Sequence, residues 1–495
     1  MDLSNADSLA YHVPELVLAG GSIVVLLLDL FTRLKARLGE VALLVVATSV
    51  LAVGFGAGAD QGYLFNRMVA LDSFALFFKL LLGFAALGAI WMSTGSRELD
   101  GEHPGEYYSI LLASTVGMFY MASATNLLTA YLALEFVSLT SYILAGFLRH
   151  RARGAEASLK YLIYGGVASG AMLYGFSLLY ALTGTLDFIE LGHRLSTVAA
   201  VPGNGAILFI AVVLSLAGIG YKIAMVPFHQ WSPDVYEGAP LPITAFLAVG
   251  SKAAGMALLI RFFYPALSSP AGDGTWIALH GVGWPALMSV VAMATMTVGN
   301  LTALRQQNVK RLLAYSSIAH AGYMLMGFVV LSDAGLRAIL FYTVVYYLMN
   351  LGAFAVLLLV VNQTGREDIE AFRGLAWRGG APAAIAMLIF LFSLAGLPPF
   401  AGFIGKAYLF AAVIEQKMWL LAFVAAANSV VGLYYYARVA RAMFLDQPLA
   451  GDPEIAVDLS NGLLIGMLLA GTLVFGLWWT PIVNFADRSL VFFGN

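Results

Sequence analysis

Four ionisable residues lie far inside apolar stretches of the sequence, where a charge is costly. They are one acid, Glu135, and three lysines, Lys222, Lys252 and Lys406. An ionised side chain at the centre of a bilayer costs at least about 2.5–3.5 kcal/mol on insertion scales, so it persists only where it is paired, hydrated or functional. Because desolvation favours the neutral amine, a buried lysine can lose and regain a proton near neutral pH. These residues predict proton handling, and a purely structural ion pair is the alternative.

A carboxylate near a buried lysine can control that exchange. At about 6 Å and an effective dielectric constant near 20, the attraction between the two charges is about 2.8 kcal/mol. Glu135 is the acid that stands in the middle of an apolar stretch. Its approach to such a lysine, or its withdrawal, would be enough to switch the protonation of the amine.

Three further residues are weaker candidates for proton transfer. Lys160 lies one to two turns from the end of its apolar stretch, from where its amine could also reach the headgroups. His229 and His320 are the only histidines that we place in the membrane part, and each either relays protons or makes an ordinary hydrogen bond. We expect Lys79 to reach the membrane surface, and we expect caps or interfacial positions for the acids near the ends of stretches, which are Glu15, Asp29, Asp72 and Glu156.

The composition is that of an integral membrane protein. Of 495 residues, 61% are hydrophobic and 11% are charged, with a mean hydropathy of +0.85, whereas soluble chains carry about 25% charged residues. The net charge of -2 lacks the basic excess that nucleic-acid binding requires. The absence of cysteine excludes disulfides and iron–sulfur clusters on this chain. We find neither metal-ligand spacing nor a phosphate-binding glycine loop, so we expect no metal and no cofactor here.

A ruler of about 20 apolar residues per membrane helix divides the sequence into fourteen spans. The run IVVLLL at 23–28 is apolar on every face, which favours a helical bundle over a barrel of alternating strands. The loops are short, so we predict an all-α integral membrane protein with one domain over 1–495. The predicted spans are 13–31, 41–58, 71–94, 106–122, 125–148, 156–183, 204–230, 240–263, 275–300, 308–331, 333–361, 381–416, 418–444 and 459–484.

Basic residues are unevenly divided between the loops, which we number by the span that precedes them. Odd-numbered loops carry fifteen Lys and Arg, Arg33 among them, and the even-numbered loops with the C-terminus carry six, Arg261 among them. The positive-inside rule therefore predicts a cytoplasmic location for the odd loops and a periplasmic one for both termini. The first residues contain no Lys or Arg, so we expect no cleaved signal peptide.

Two of the spans contain similar interruptions. The sequence SLAG at 215–218 recurs at 393–396, and each copy is followed by a helix breaker, Pro227 in one case and Pro398-Pro399 in the other. Proline-interrupted helices at corresponding positions of two halves indicate an ion site near the bilayer midplane. Lys406 follows the second break, where freed carbonyls require protein groups or water.

These stretches resemble the antiporter-like, proton-pumping membrane subunits of respiratory complex I, the NADH:quinone oxidoreductase. Within that family the N type, equivalent to mitochondrial subunit 2, is the best fit, because the M type carries Glu at the position of Lys406 and the L type is longer and has a lateral helix. The resemblance covers about 107–445. Its motifs are NLLTAYLALEFVSLTSYILAGF around Glu135, EASLKYLIYGG around Lys160, GIGYKIAMVPFHQWSPDVYEGAP around Lys222, Ser251-Lys252, QNVKRLLAYSSIAHAGYM around His320 and GLPPFAGFIGKAYLF around Lys406.

The resemblance implies an architecture. It has 14 transmembrane helices, with two inverted five-helix repeats and with helices 7 and 12 broken. Spans 1–3 would lie at 13–94, repeat one at 106–263, repeat two at 275–444 and span 14 at 459–484.

The resemblance also implies roles for the charged residues. Glu135 and Lys222 would form the ion pair of the first half-channel. Lys252 would be the central relay, and Lys406 would be the terminal proton carrier.

Other subunits would supply the redox chemistry. The resemblance places FMN, the iron–sulfur clusters, NADH and the quinone site on them, and it implies M-type and K-type neighbours, the lateral helix of the L-type subunit and a bacterial inner membrane. Two alternatives stay open at this point. One is a subunit of a multi-subunit cation/proton antiporter or membrane-bound hydrogenase; the other is a stand-alone transporter of a small solute, against which the clustering of lysines argues.

Overall fold

The computed structural model describes residues 5–31, 35–56, 61–448 and 451–490, which form a mostly helical chain. Arg33, which entered the count of loop charges, and both chain ends lie outside the described residues. In the part of the chain that the structure describes, eleven helices are long and apolar enough to cross a membrane. The helical membrane class predicted from composition is therefore confirmed.

The N-terminal part is a unit of three long helices preceded by a short one. Its elements are α1 (Asn5–Ala10), α2 (Val13–Phe31), α3 (Leu38–Phe55), β1 (Gly62–Leu64), β2 (Val69–Leu71) and α4 (Ser73–Thr94). The strands form an antiparallel hairpin in which Tyr63 pairs with Ala70. α2 packs on α3 and α3 packs on α4, so the apolar stretches are joined by short connections between neighbouring helices.

The next part of the chain extends to residue 267. Its helices are α5 (Pro104–Ser123), α6 (Leu127–Ala145), α7 (Ala152–Thr183), α8 (Phe188–Ala199), α9 (Asn204–Ile223), α10 (Trp231–Gly238), α11 (Leu241–Phe246) and α12 (Lys252–Leu267). A wider, π-helical turn joins α11 to α12 over Leu247–Ser251. Asn126 begins α6 by accepting a hydrogen bond from the Thr129 N–H, which satisfies one of the free donors of the first turn. α5 packs against α2, α4 and α12, so it joins the N-terminal unit to the rest.

The last part of the chain begins with a second hairpin. Its elements are β3 (Ser268–Pro270), β4 (Trp276–Ala278), α13 (Trp284–Ala303), α14 (Val309–Val329), α15 (Asp333–Thr364), α16 (Ala381–Ala395), α17 (Ala401–Glu415), α18 (Trp419–Phe444), α19 (Leu459–Leu477) and α20 (Thr480–Arg488). The predicted start of the ninth span at 275 is wrong, because Gly272 and Gly274 take left-handed φ values of +90° and +78° and close the β3–β4 hairpin. The helix therefore begins only at Trp284.

Two helices are interrupted where the sequence carries prolines. α9 ends before Ala224, which has a left-handed φ of +58°, and α10 begins after Pro227 has removed a backbone donor. α16 ends at Gly396, whose φ of +87° suits a residue without a side chain, and α17 begins after Pro399. Backbone carbonyls are thus freed at two points inside the bundle.

The centre of the molecule is formed by α11, α12, α14 and α15. The 18 most apolar consecutive residues of Leu241–Leu267 are all buried, whereas only 28% of the corresponding 18 residues of α2 are buried. Lys252 lies in the middle of this central segment. A charge at this position is held by protein groups and not by the lipid headgroups.

Candidate functional site

Lys222 lies at the broken end of α9, and its side chain is fully buried. Its Nζ donates a hydrogen bond to Ser138 Oγ at 3.3 Å and lies 5.8 Å from the centre of the Tyr161 ring. Glu135 lies one turn before Ser138 on α6 and is half-buried. Among the described residues, however, the two charged groups form no ion pair within 4 Å. The resemblance implies a direct pair, and in the structure Ser138 takes the hydrogen bond.

The interruption after α9 is closed by aromatic residues. Trp231 Nε1 donates to the Tyr221 carbonyl at 2.9 Å, and the Trp231 ring stacks on Tyr161 with 4.3 Å between the centres. Tyr221 in turn donates its hydroxyl to the Tyr161 carbonyl at 2.8 Å. The Tyr221 carbonyl also accepts from the Ala224 N–H at 3.0 Å, so the indole adds a second hydrogen bond at the end of α9, and the rings shield the pocket of Lys222.

Lys252 begins α12 directly after the π-helical turn and is 2% exposed. Its Nζ donates to Ser317 Oγ of α14 and lies 5.9 Å from the Tyr236 ring centre. Gly255, one turn further on, packs tightly on α9, where an added Cβ would lie 2.7 Å from Ile223 Cγ2 and 3.5 Å from Lys222 Cβ. The helices that carry the first two lysines are therefore in direct contact.

His320 is buried on α14 between tyrosines. Its Nδ1 lies 2.6 Å from the Tyr342 hydroxyl and its Nε2 lies 3.2 Å from the Tyr436 hydroxyl. Both ring nitrogens are therefore hydrogen-bonded. Because a tyrosine hydroxyl can donate or accept, both neutral tautomers of the imidazole can form these two bonds.

α14 connects the second lysine to the third. Ser317, the partner of Lys252, lies one turn before His320 on the same helix. Lys406 Nζ lies 4.6 Å from the ring centre of Tyr323, which follows His320 by three residues on α14. The structure thus brings Lys252, His320 and Lys406 together around α14.

Lys406 lies on α17 just beyond the second interruption and is 6% exposed. Its Nζ donates to the Ala395 carbonyl at 2.9 Å and to Ser429 Oγ at 3.3 Å, and it lies 4.6 Å from the Tyr323 ring centre. An added Cβ at Gly396 would lie 2.7 Å from Lys406 Cδ. Glycine at the break therefore leaves room for the lysine to reach the freed carbonyl.

Lys160 and His229 lie apart from this line of residues. Lys160 Nζ pairs with Asp234 at 2.6 Å and with Glu156 at 2.7 Å, and its side chain is 37% exposed. Arg311 also binds Asp234, at 2.6 Å. Although partial burial raises the pKa of Asp234, the hydrogen bonds from Lys160 and Arg311 hold that pKa below its usual value. His229 is half-buried in the segment that interrupts α9.

Sequence reasoning missed a second buried cluster. Lys79 pairs with an acid inside the bundle, because its Nζ lies 2.5 Å from Glu15 Oε1 and both side chains are buried. Glu15, for which we expect a cap or an interfacial position, is thus the ion-pair partner of Lys79. His12, which we had not placed in the membrane part, lies 3.4 Å from Glu15 and is 3% exposed. The sequence did contain one indication of this cluster: His12 and Glu15 are three residues apart at the start of a span, which places them on the same side of a helix.

Arg261 was counted among the loop cations, and this assignment is wrong. The residue lies on α12, is completely buried and makes a bidentate ion pair with Asp72 at 2.8 and 2.7 Å. Asp72 also caps α4 by accepting from the Ala75 N–H, as predicted for this acid. The pair fastens the N-terminal unit to the central segment.

Comparisons with known proteins agree with this geometry. The family model described as NADH:quinone oxidoreductase/Mrp antiporter, TM, matches residues 124–432. NADH-quinone oxidoreductase subunit N of Anaeromyxobacter sp. (strain Fw109-5) is 48% identical, over 99% of this chain and 98% of the relative. A chain of respiratory complex I from Thermus thermophilus with bound aureothin has a TM-score of 0.79 at 32% identity, over 96% of this chain and 99% of that one. A chain of an archaeal membrane-bound sulfane sulfur reductase has a TM-score of 0.84 at 21% identity, over 97% and 96%, and so shares the fold.

Proposed function

Since the chain belongs to the NADH:quinone oxidoreductase/Mrp antiporter family of membrane proteins, we propose that it translocates protons as the N-type subunit of an NADH-quinone oxidoreductase. The chain is an antiporter-like, multi-pass membrane protein of a respiratory complex. Relatives named subunit N of that enzyme match it over nearly its whole length. The proton route and its residues are our proposal.

One observation carries the route: buried polar groups form a line through the centre of the bundle. Lys222 and Lys252 lie on helices in contact, Lys252 donates to Ser317, and His320 lies one turn further on. Lys406 follows, beside a freed carbonyl. Buried lysines with hydroxyl and imidazole groups between them are an arrangement that transfers protons.

Each lysine acts by exchanging one proton at its Nζ. A charged ammonium donates to a neighbouring hydroxyl or carbonyl, and after it has given up the proton the neutral amine accepts another. Glu135 favours the charged form of Lys222 when it is near and releases the proton when it moves away. Lys406, as the terminal carrier, gives the proton to the outward side. Lys160 and His229 are left as weaker candidates on the entry side.

The finer architecture belongs to the same proposal. We count α5, α14 and the interrupted helix α16–α17 with the eleven long apolar helices, which already include α9, and so obtain fourteen spans in one domain over 1–495. The similar breaks after α9 and α16 support two inverted repeats, one from α5 to α12 and the other from α13 to α18. The loop charges support periplasmic termini in a bacterial inner membrane.

We propose that redox groups are bound by other subunits. The sequence has no cysteine to hold an iron–sulfur cluster, so FMN, the clusters, NADH and quinone belong elsewhere in the complex. M-type and K-type membrane subunits and the lateral helix of the L-type subunit are the proposed neighbours. This chain contributes only the transfer of protons.

The test compares two lysine variants of the intact complex in vesicles. Lys252→Met removes the central amine but keeps an unbranched side chain, and we expect fewer protons translocated per electron. Lys35→Met is the matched control, because Lys35 is 63% exposed and lies outside the route. Assembly and quinone reduction are measured in both. An unchanged proton-to-electron ratio in Lys252→Met would contradict the route.

A further inference from the structure

A buried cluster of four titratable residues lies outside the proposed relay, in the N-terminal unit. Lys79 Nζ of α4 lies 2.5 Å from Glu15 Oε1 of α2. Glu15 Oε2 lies 3.4 Å from His12 Nδ1. His12 Nε2 lies 2.6 Å from the hydroxyl of Tyr120 on α5. The four groups form a continuous row across three helices.

One end of the row borders a cavity. Lys79 lines a cavity of about 460 Å³ together with Tyr11, Gln61 and Asp72. These polar side chains can hold water, since the space is many times the volume of one water molecule. Tyr11 and Gln61 are exposed, so the cavity opens at the end of the bundle that carries the β1–β2 hairpin. Lys79 is thus the residue of the cluster that faces the cavity.

The inner groups include buried polar atoms without a hydrogen bond. In the described chain, neither His12 Nδ1 nor Glu15 Oε2 makes a hydrogen bond. The charged groups that face His12 are Glu15 from α2 and Lys79 from α4. Tyr120 from α5 and the Phe65 ring, 5.1 Å away, complete its surroundings.

A merely structural ion pair does not explain the histidine. Glu15 and Lys79 already neutralise each other, and Tyr120 satisfies only Nε2 of the ring, so the buried Nδ1 without a hydrogen bond costs free energy unless the atom is used. The imidazole gives the cluster a group whose ordinary titration falls between pH 5 and 8. The cluster then holds either no net charge or one positive charge.

We propose that His12, Glu15, Lys79 and Tyr120 form a second proton-binding site, which exchanges protons with the cavity at the β1–β2 end. Lys79 passes its proton to Glu15 Oε1, the protonated carboxyl group turns about its Cγ–Cδ bond so that this O–H faces His12 and protonates Nδ1, and Lys79 regains a proton from cavity water. The net change is one proton taken from water and bound as imidazolium. Glu15, with its charge restored, stabilises the imidazolium.

The site is connected mechanically to the relay helix. Two residues after Tyr120 on α5, the carbonyl of Ala122 accepts a hydrogen bond from Arg261 Nε of α12. α12 carries Lys252, and Arg261 also holds Asp72, which borders the cavity. A change of charge at His12 therefore acts on helices that contact the proposed relay. Proton binding at this site does not depend on proton translocation through the relay.

The experiment records infrared difference spectra of the intact complex in oriented membrane vesicles after a pH step on the β1–β2 side. In the unaltered complex we expect one imidazole signal and one carboxylate signal that change together. His12→Gln should lose both signals, and Glu15→Gln should lose the carboxylate signal. His280→Gln is the matched control, since His280 is exposed and its loss should remove an imidazole signal without the carboxylate change. We expect Lys79→Met to slow the His12 response at least tenfold. Because no turnover is needed, the result is independent of the relay.

Identical spectra for the unaltered complex and His12→Gln would overturn the proposal, as would an unchanged response rate in Lys79→Met. Tyr120→Phe covers the case in which His12→Gln does not assemble. It keeps the ring packing and the three charged or titratable partners but removes the hydrogen bond to Nε2. We expect it to move the midpoint of the imidazole signal, and an unmoved midpoint would contradict the site.

Discussion

Replacing Lys406 with arginine separates a proton carrier from a simple positive charge. Arginine keeps the charge and can still donate to the Ala395 carbonyl, which now accepts from Lys406 Nζ at 2.9 Å. Releasing a proton from a guanidinium at pH 7, however, costs at least about 7 kcal/mol, because its pKa exceeds 12 and each unit is worth about 1.4 kcal/mol. That penalty slows transfer about 10⁵-fold. We therefore expect no proton transfer through this site in Lys406→Arg.

Two companion variants complete the series. Lys406→Ala leaves the Ala395 carbonyl without its donor, and an unsatisfied buried acceptor costs about 1–3 kcal/mol of stability. Alanine should thus lose both pumping and some stability, whereas arginine should lose mainly pumping. Lys406→Glu restores a titratable group, which the resemblance places at this position in M-type subunits, so partial pumping is expected.

The assay is proton uptake into vesicles during quinone reduction, with electron flow and assembly of the complex measured in parallel. The expected order of protons per electron is the unaltered complex first, then Lys406→Glu, then the arginine and alanine variants together. Full pumping by Lys406→Arg would refute the carrier role. If Lys406→Ala loses pumping while Lys406→Arg keeps it, Lys406 supplies only a positive charge or structural support.

Three further predictions follow from the remaining charged groups and the topology. Glu135→Gln should assemble but pump poorly, and Glu135→Asp should recover in part; unchanged protons per electron would make this acid structural. The pKa of Asp234 is lowered in the folded state, so its ion pairs should stabilise the fold at pH values above its ordinary pKa of 3.8. This stabilisation should be lost as the pH falls further. When thermal stability is measured against pH, Asp234→Asn should therefore show a smaller loss of stability in acid than the unaltered protein. A tag after Asn495 should be cleaved by external protease in intact spheroplasts; cleavage only in inverted vesicles would reverse the topology.

Local sequence rules were sufficient for the helices and for the three central lysines. The length of an apolar stretch and the cost of a charge within it are properties of a single segment, so Lys222, Lys252 and Lys406 could be singled out before any packing was known. The interruptions were equally local, because proline removes a donor and Gly396 permits a left-handed turn. These properties do not depend on which helices are neighbours.

Only the tertiary structure decided which groups meet. Lys79 and Glu15 are 64 positions apart, and Arg261 and Asp72 are 189 positions apart; their contacts depend on the packing of α2, α4 and α12, which no local pattern specifies. For the same reason the hydrogen bond of Lys222 goes to Ser138, one turn away from the expected Glu135. Side-chain pairing in a bundle is a property of helix contacts and rotations, whereas the presence of a helix follows from its own residues.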